Sequence, residues 1–181
     1  MSPHLWWYVA RASGLVAWAL LSASVLWGVL LTVREPGTNP KPAWLLDFHR
    51  WLGALAVIFT GFHLSGLLID GYVGFKLSEL LIPFVSHWHP LAVAWGIVAF
   101  WLLASVQATS LVRGRMSHRV WHAIHLTSYV LFWMASIHAV TAGTDSGNRL
   151  FGYLALTVMT VVAVSTLRRI RFEPAKVRTN R

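Results

Sequence analysis

The chain has 181 residues, of which 56% are hydrophobic and 12% charged, with a mean hydropathy of +0.59. A soluble domain carries about 25% charged residues, so an ordinary water-soluble fold is excluded. The absence of cysteine excludes disulfides, iron–sulfur clusters and thiolate haem ligation. The net charge of +9 lies between apolar runs rather than on one polar face, a pattern of membrane topology and not of nucleic-acid binding.

In chain order, residues 1–13 form a short aromatic N-terminal segment containing Trp6, Trp7, Tyr8 and Arg11. Residues 14–33 carry no charge and are long enough to cross a bilayer. They are read as a retained first span rather than a cleaved leader. Residues 34–47 contain Pro36, Gly37, Pro40 and Pro42 and are expected to be a loop. A second span is expected over 51–69, with His49 and Arg50 at its start, followed by a long connection over 70–90. The third span covers 92–112, with Gln107 as its one amide, and a basic turn covers 113–119. The fourth span, 120–140, holds His122, His125 and His138. A polar segment, 141–149, leads to the fifth span, 150–167. The fold class expected is all-α: a polytopic membrane bundle of five helices. Its parts are the N-terminal segment 1–13, a transmembrane domain 14–167 and a basic tail 168–181.

With five spans, the 34–47 loop, the 113–119 turn and the tail share one side, and Arg50 is counted with them. Only Arg11, Lys76 and Arg149 fall on the other side. The positive-inside rule therefore predicts the N-terminus outside and the C-terminus in the cytoplasm. Spans two and four then run parallel, from inside to outside.

Ionisable side chains inside a membrane are costly and mark function. His49 and His63 are 14 residues apart, and His125 and His138 are 13 apart. At about 1.5 Å per residue each pair spans about 20 Å, most of the hydrocarbon core. On parallel spans the natural partners are His49 with His125 on the inner side and His63 with His138 on the outer side. Each pair offers two neutral imidazoles to one metal. Haem suits an apolar interior, and without a Cys-x-x-Cys-His motif it would be non-covalent haem b. Helical phase agrees for one pair only. At about 100° per residue, His63 lies about 40° from His49, whereas His138 lies about 140° from His125. Substituting His122 for His125 leaves about 160°. A fourth span that carries two ligands must be locally rewound, kinked or strongly tilted.

The arrangement of His49 and His63 on one span, with His125 and His138 two spans later, resembles the ferric reductase-like transmembrane domain. That family is the haem-carrying core of NADPH oxidases, ferric reductases and the haem subunit of the periplasmic methionine sulfoxide reductase system. The resemblance implies two b haems passing electrons across the membrane. Oxidases and ferric reductases of the family continue into a flavin and nicotinamide domain. Here about 14 residues follow the last span, without a G-x-G-x-x-G turn. No flavin or nicotinamide site is therefore expected in this chain. The donor is expected to be a cytoplasmic reductase, such as a separate flavoprotein, or quinol. The acceptor lies on the outer side and is not identified by the sequence.

Other residues have a bland reading beside a functional one. Arg50, Arg113, Arg115 and Arg119 serve topology, and Arg50 or Arg119 could also pair with inner-haem propionates. His118 and His122 are interfacial or, in the alternative, hydrogen-bond a haem propionate. Arg11 is placed to pair with an outer propionate. Gly53 and Gly66 either admit a flat macrocycle or pack helices. Phe132 stands near mid-membrane, between the two haems or simply in the core. In the connection, residues 75–82 could form a short interfacial helix. His87 and His89 are exposed interfacial histidines by default, and an outer acceptor or metal site as the alternative.

The function expected is a di-haem b cytochrome of the bacterial plasma membrane, an oxidoreductase or the electron-transfer subunit of one. Its rivals are a b561-type quinol- or ascorbate-linked cytochrome, a non-enzymatic membrane metal carrier and an accessory subunit without cofactor.

Overall fold

Apolar residues surround most of these helices on every side, so burial against lipid and against neighbouring helices must organise them together. A computed structural model describes residues 5–32, 42–143 and 147–172. Most of the expected 34–47 loop and the end of the tail lie outside these residues. The described elements are α1 (Leu5–Thr32), α2 (Ala43–Ile69), α3 (Leu77–Leu81), α4 (Pro90–Leu111), α5 (His118–Leu126), α6 (Ser128–Ala142) and α7 (Arg149–Phe172). A 3₁₀ turn, Arg113–Arg115, precedes α5. No strand occurs among the described residues. Five helical stretches are long and apolar enough to cross a membrane: α1, α2, α4, α5 with α6, and α7.

The helices outrun the apolar stretches. The first begins at Leu5 rather than at residue 14, so Trp6, Trp7, Tyr8 and Arg11 are helical. The second begins at Ala43, which puts Asp47, His49 and Arg50 inside it. The fifth continues through Arg168, Arg169 and Arg171. Hydropathy marks the hydrocarbon-facing part of a helix, whereas the helix itself runs on until a breaker stops it. Pro42 immediately precedes α2 and Pro90 opens α4, positions where a missing N–H costs nothing.

The main layers are α1 against α2 and α4 against α6, and α1 also crosses α6 and α7. Where α1 meets α2, a Cβ on Gly66 would lie 2.8 Å from the Ala10 backbone nitrogen. Gly66 therefore serves helix contact, the packing alternative of its two readings. Leu21, Val25, Ala99, Leu103, Leu131, Phe132 and Val162 form the central core, with Phe132 fully buried. Trp18 Nε1 donates to Ser136 Oγ at 3.0 Å, a buried bond that ties α1 to α6.

The fourth span breaks at Thr127, between α5 and α6. Thr127 N–H donates to Ile124 O at 3.0 Å, a three-residue rather than four-residue step. Thr127 Oγ1 donates to the same carbonyl at 2.7 Å. A 3₁₀ step advances about 120° per residue. One such step turns His138 by only about 20° of the 140° that a uniform helix misses, so the break of the fourth span into α5 and α6 at Thr127 has to supply the rest.

Candidate functional site

Two pairs of imidazoles face each other across the bundle. His49 and His125 have ring centroids 6.0 Å apart with planes at 70°. His63 and His138 have centroids 6.3 Å apart with planes at 76°. The N-terminal histidine of α2 meets that of the fourth span, and likewise for the C-terminal two, so α2 and α6 run parallel.

Three of the four rings sit in the same kind of seat. Nδ1–H of His63 donates to Ala10 O at 2.7 Å, and the ring covers Gly14 one turn on. Nδ1–H of His138 donates to Ala92 O at 2.9 Å, and the ring covers Gly96 one turn on. A Cβ would lie 2.8 Å from His63 at Gly14 and 2.7 Å from His138 at Gly96, so only glycine leaves room. His49 repeats the pattern more loosely, with Nδ1 3.4 Å from Ser24 Oγ and Gly28 beneath the ring at 3.3 Å. His125 differs: α4 has no second glycine. Its ring instead stacks on Trp121 at 4.9 Å and 24°, and Arg113 lies over Trp121 at 4.3 Å. His125 Nδ1 and Trp121 Nε1 are buried without a hydrogen-bond partner among the described residues.

A bond from Nδ1–H to a carbonyl fixes the tautomer and leaves Nε2 free as a lone-pair donor. His63 and His138 border a largely apolar cavity. Its wall also includes Arg11, Trp18, Ala56, Thr60, Asp70 and Phe151.

The other singled-out residues distribute as follows. Arg11 is at the His63–His138 level, on the cavity wall, with its guanidinium 5.1 Å from the Trp7 ring centre. Arg50 is exposed and pairs with Asp47 at 2.9 Å. Arg119 and His122 are exposed on α5, and His122 stacks on His118 at 5.7 Å. Arg169 donates to Tyr129 OH at 2.7 Å. Phe132 lies in the central core. Gly53 faces Gln107.

His87 and His89 serve different tasks. His87 N–H donates to Glu79 Oε1 at 3.1 Å, and its Nδ1 binds the same oxygen. Lys76 N–H donates to Glu79 Oε2 at 2.8 Å. His89 caps α4 in a left-handed conformation, with its ring on Trp88 at 4.5 Å.

The seats formed by Gly14, Gly28 and Gly96, with the carbonyls of Ala10 and Ala92, were not anticipated from the sequence. A signal was present: Gly14 and Gly28 repeat the 14-residue spacing of His49 and His63. The family model described as "Ferric reductase like transmembrane component" matches residues 13–136. No curated protein and no solved structure matches the chain.

Proposed function

Since the chain belongs to the ferric reductase-like transmembrane family, we propose that it holds two b haems and carries electrons across the membrane. His49 with His125 would hold one haem, and His63 with His138 the other. The ring separations carry this reading. Two imidazoles on opposite sides of one metal, each with a bond of about 2 Å, have centroids about 6 Å apart. The pairs stand at 6.0 and 6.3 Å. Donor groups that gather in twos suit axial ligation. No cluster of three or more histidine or acidic side chains occurs among the described residues, whereas a zinc site takes three or four protein ligands.

Bound haem supplies a reversible one-electron iron couple. The chain's own residues do the rest. Ala10 and Ala92 carbonyls orient His63 and His138 and strengthen them as donors. Gly14 and Gly96 let those rings lie against α1 and α4. Phe132, Leu131 and the buried bond from Trp18 to Ser136 belong to the apolar core between the two levels. Arg11 stands where it can pair with a propionate of the second haem, and Arg113 beside Trp121 where it can pair with one of the first.

The orientation follows the basic residues: N-terminus outside, C-terminus in the cytoplasm. The His49–His125 level is then the inner one. Electrons enter there from a separate flavoprotein or a membrane quinol and leave to an acceptor outside, in a bacterial plasma membrane. An inside-negative potential favours that direction by about 2.3 kcal/mol per electron per 100 mV. The test is a reduced-minus-oxidised spectrum of the purified protein with haem quantified as pyridine haemochrome. Two low-spin b haems per chain are expected. A chain that stays colourless after haem is supplied would overturn the reading.

A further inference from the structure

The connection between α2 and α4 descends alongside α4 rather than crossing above it. Trp101, eleven residues into α4, donates its Nε1–H to Leu81 O at 3.0 Å. Leu80 packs with Phe75, Val93 and Ile97. Ile97 is seven residues beyond Pro90, so the cluster that holds Leu80 extends about 10 Å along α4 from its start. That is the depth of Gly96 and hence of His138.

Non-helical backbone is tolerated at such depth only where its polar groups are paired or line a cavity. This segment meets the condition with its own side chains. Glu79, only 6% exposed, gathers the N–H groups of Lys76 and His87 at its entry and exit. Ser86 Oγ accepts from Trp88 N–H and donates to Trp88 O. Between them Phe84 sits at φ +68°, a left-handed conformation costly for an aromatic residue. Tyr72, Val73, Phe75, Leu80 and Trp88 border the same cavity as His63 and His138. Ile82, Phe84 and Val85 are exposed apolar side chains, as lipid-facing residues would be.

We propose that residues 70–89 are a re-entrant wall that closes the water-facing edge of the His63–His138 site, with Glu79 as the positioning residue that clasps it in place. The haem part of the test rests on the function proposed above; the position of the wall does not.

The natural chain has no cysteine, so single cysteines report one place each. Full-length protein carrying a nitroxide at Ile82→Cys or at Gly147→Cys, an exposed turn outside the wall, would be placed in phosphatidylcholine vesicles. Collisions with oxygen and with a water-soluble nickel chelate would then be compared. The Ile82 label should be at least five-fold less accessible to nickel than the Gly147 label. Equal nickel access at both overturns the wall. Glu79→Ala should expose the Ile82 label, and His87→Ala should expose it less. If Glu79→Ala does not fold, Glu79→Gln with His87→Ala decides, and an unchanged label in both overturns the clasp. On haem-loaded protein, Glu79→Ala should speed oxidation of one ferrous haem by water-soluble ferricyanide about ten-fold. A colourless chain with a shielded Ile82 label would sink the haem reading and keep the wall. A di-haem chain with a nickel-accessible label would do the reverse.

Discussion

At the His63–His138 level, both imidazoles donate to backbone carbonyls and both lie over glycine. At the His49–His125 level, one ring has a distant serine hydroxyl and the other has an indole face. The ring separations are nevertheless nearly equal. The bundle thus reaches the same ring spacing by two routes: rigid backbone seats at one level, and side-chain packing at the other. Backbone seats cannot be removed by mutating the acceptor, whereas side-chain supports can. The second level is therefore the more adjustable, and its histidines flank the connection that the chain leaves basic, with Arg113, Arg115 and Arg119 nearby.

The largest expected effect comes from removing a ligand. His138→Ala should lower haem from two per chain to one, and His125→Ala should do the same from the other level, both read as pyridine haemochrome. Retention of both haems by both variants would break the pairing. Next come the seats. Gly96→Ala and Gly14→Ala drive a methyl into a ring at 2.7 and 2.8 Å. Overpacking of this kind costs about 1–3 kcal/mol, and should convert one haem partly to high spin. Gly28→Ala, at 3.3 Å, should leave the spectrum nearly unchanged. An equal effect at all three would erase the contrast between tight and loose seats.

A smaller loss is expected for Trp18→Phe, which deletes the bond to buried Ser136. Leaving that hydroxyl unpaired costs about 1–3 kcal/mol, seen as a lower thermal midpoint in detergent with both haems retained. Ser24→Ala should have the least effect. Its oxygen stands 3.4 Å from His49 Nδ1, at the weak limit of hydrogen bonding, so the loss falls at or below about 0.5 kcal/mol. The sharper readout is the redox midpoint, which should move for one haem only.

Much of this arrangement was legible in advance. The 14- and 13-residue spacings bring His49 to His125 and His63 to His138, because parallel spans of similar length align them by depth. Phase arithmetic required a distortion in the fourth span, but could not place it at Thr127. That position depends on a hydroxyl competing for the Ile124 carbonyl, a local choice that hydropathy does not encode. The seats at Gly14, Gly28 and Gly96 escaped notice because a glycine in an apolar run has several uses, and only the neighbouring helix decides among them. Gly66 shows the converse, resembling a cofactor contact by spacing and serving helix packing in fact. The course of residues 70–89 was hidden for a similar reason. Its composition reads as interfacial, and the bond from Trp101 to Leu81 joins residues too far apart in sequence for any periodicity to reveal.

The 14-residue interval from Gly14 to Gly28 on α1 lies antiparallel to the 14-residue interval from His49 to His63 on α2. The first helix is therefore a gauge for the second. Deleting one residue between the two glycines would turn one of them about 100° and shift it about 1.5 Å along the axis. One ring would keep its seat and the other would meet a side chain. A substitution in this stretch of α1 changes one contact, whereas a change in its length moves a whole level. The spacing of the two centres is thus written twice, and any drift in one copy has to be matched in the other.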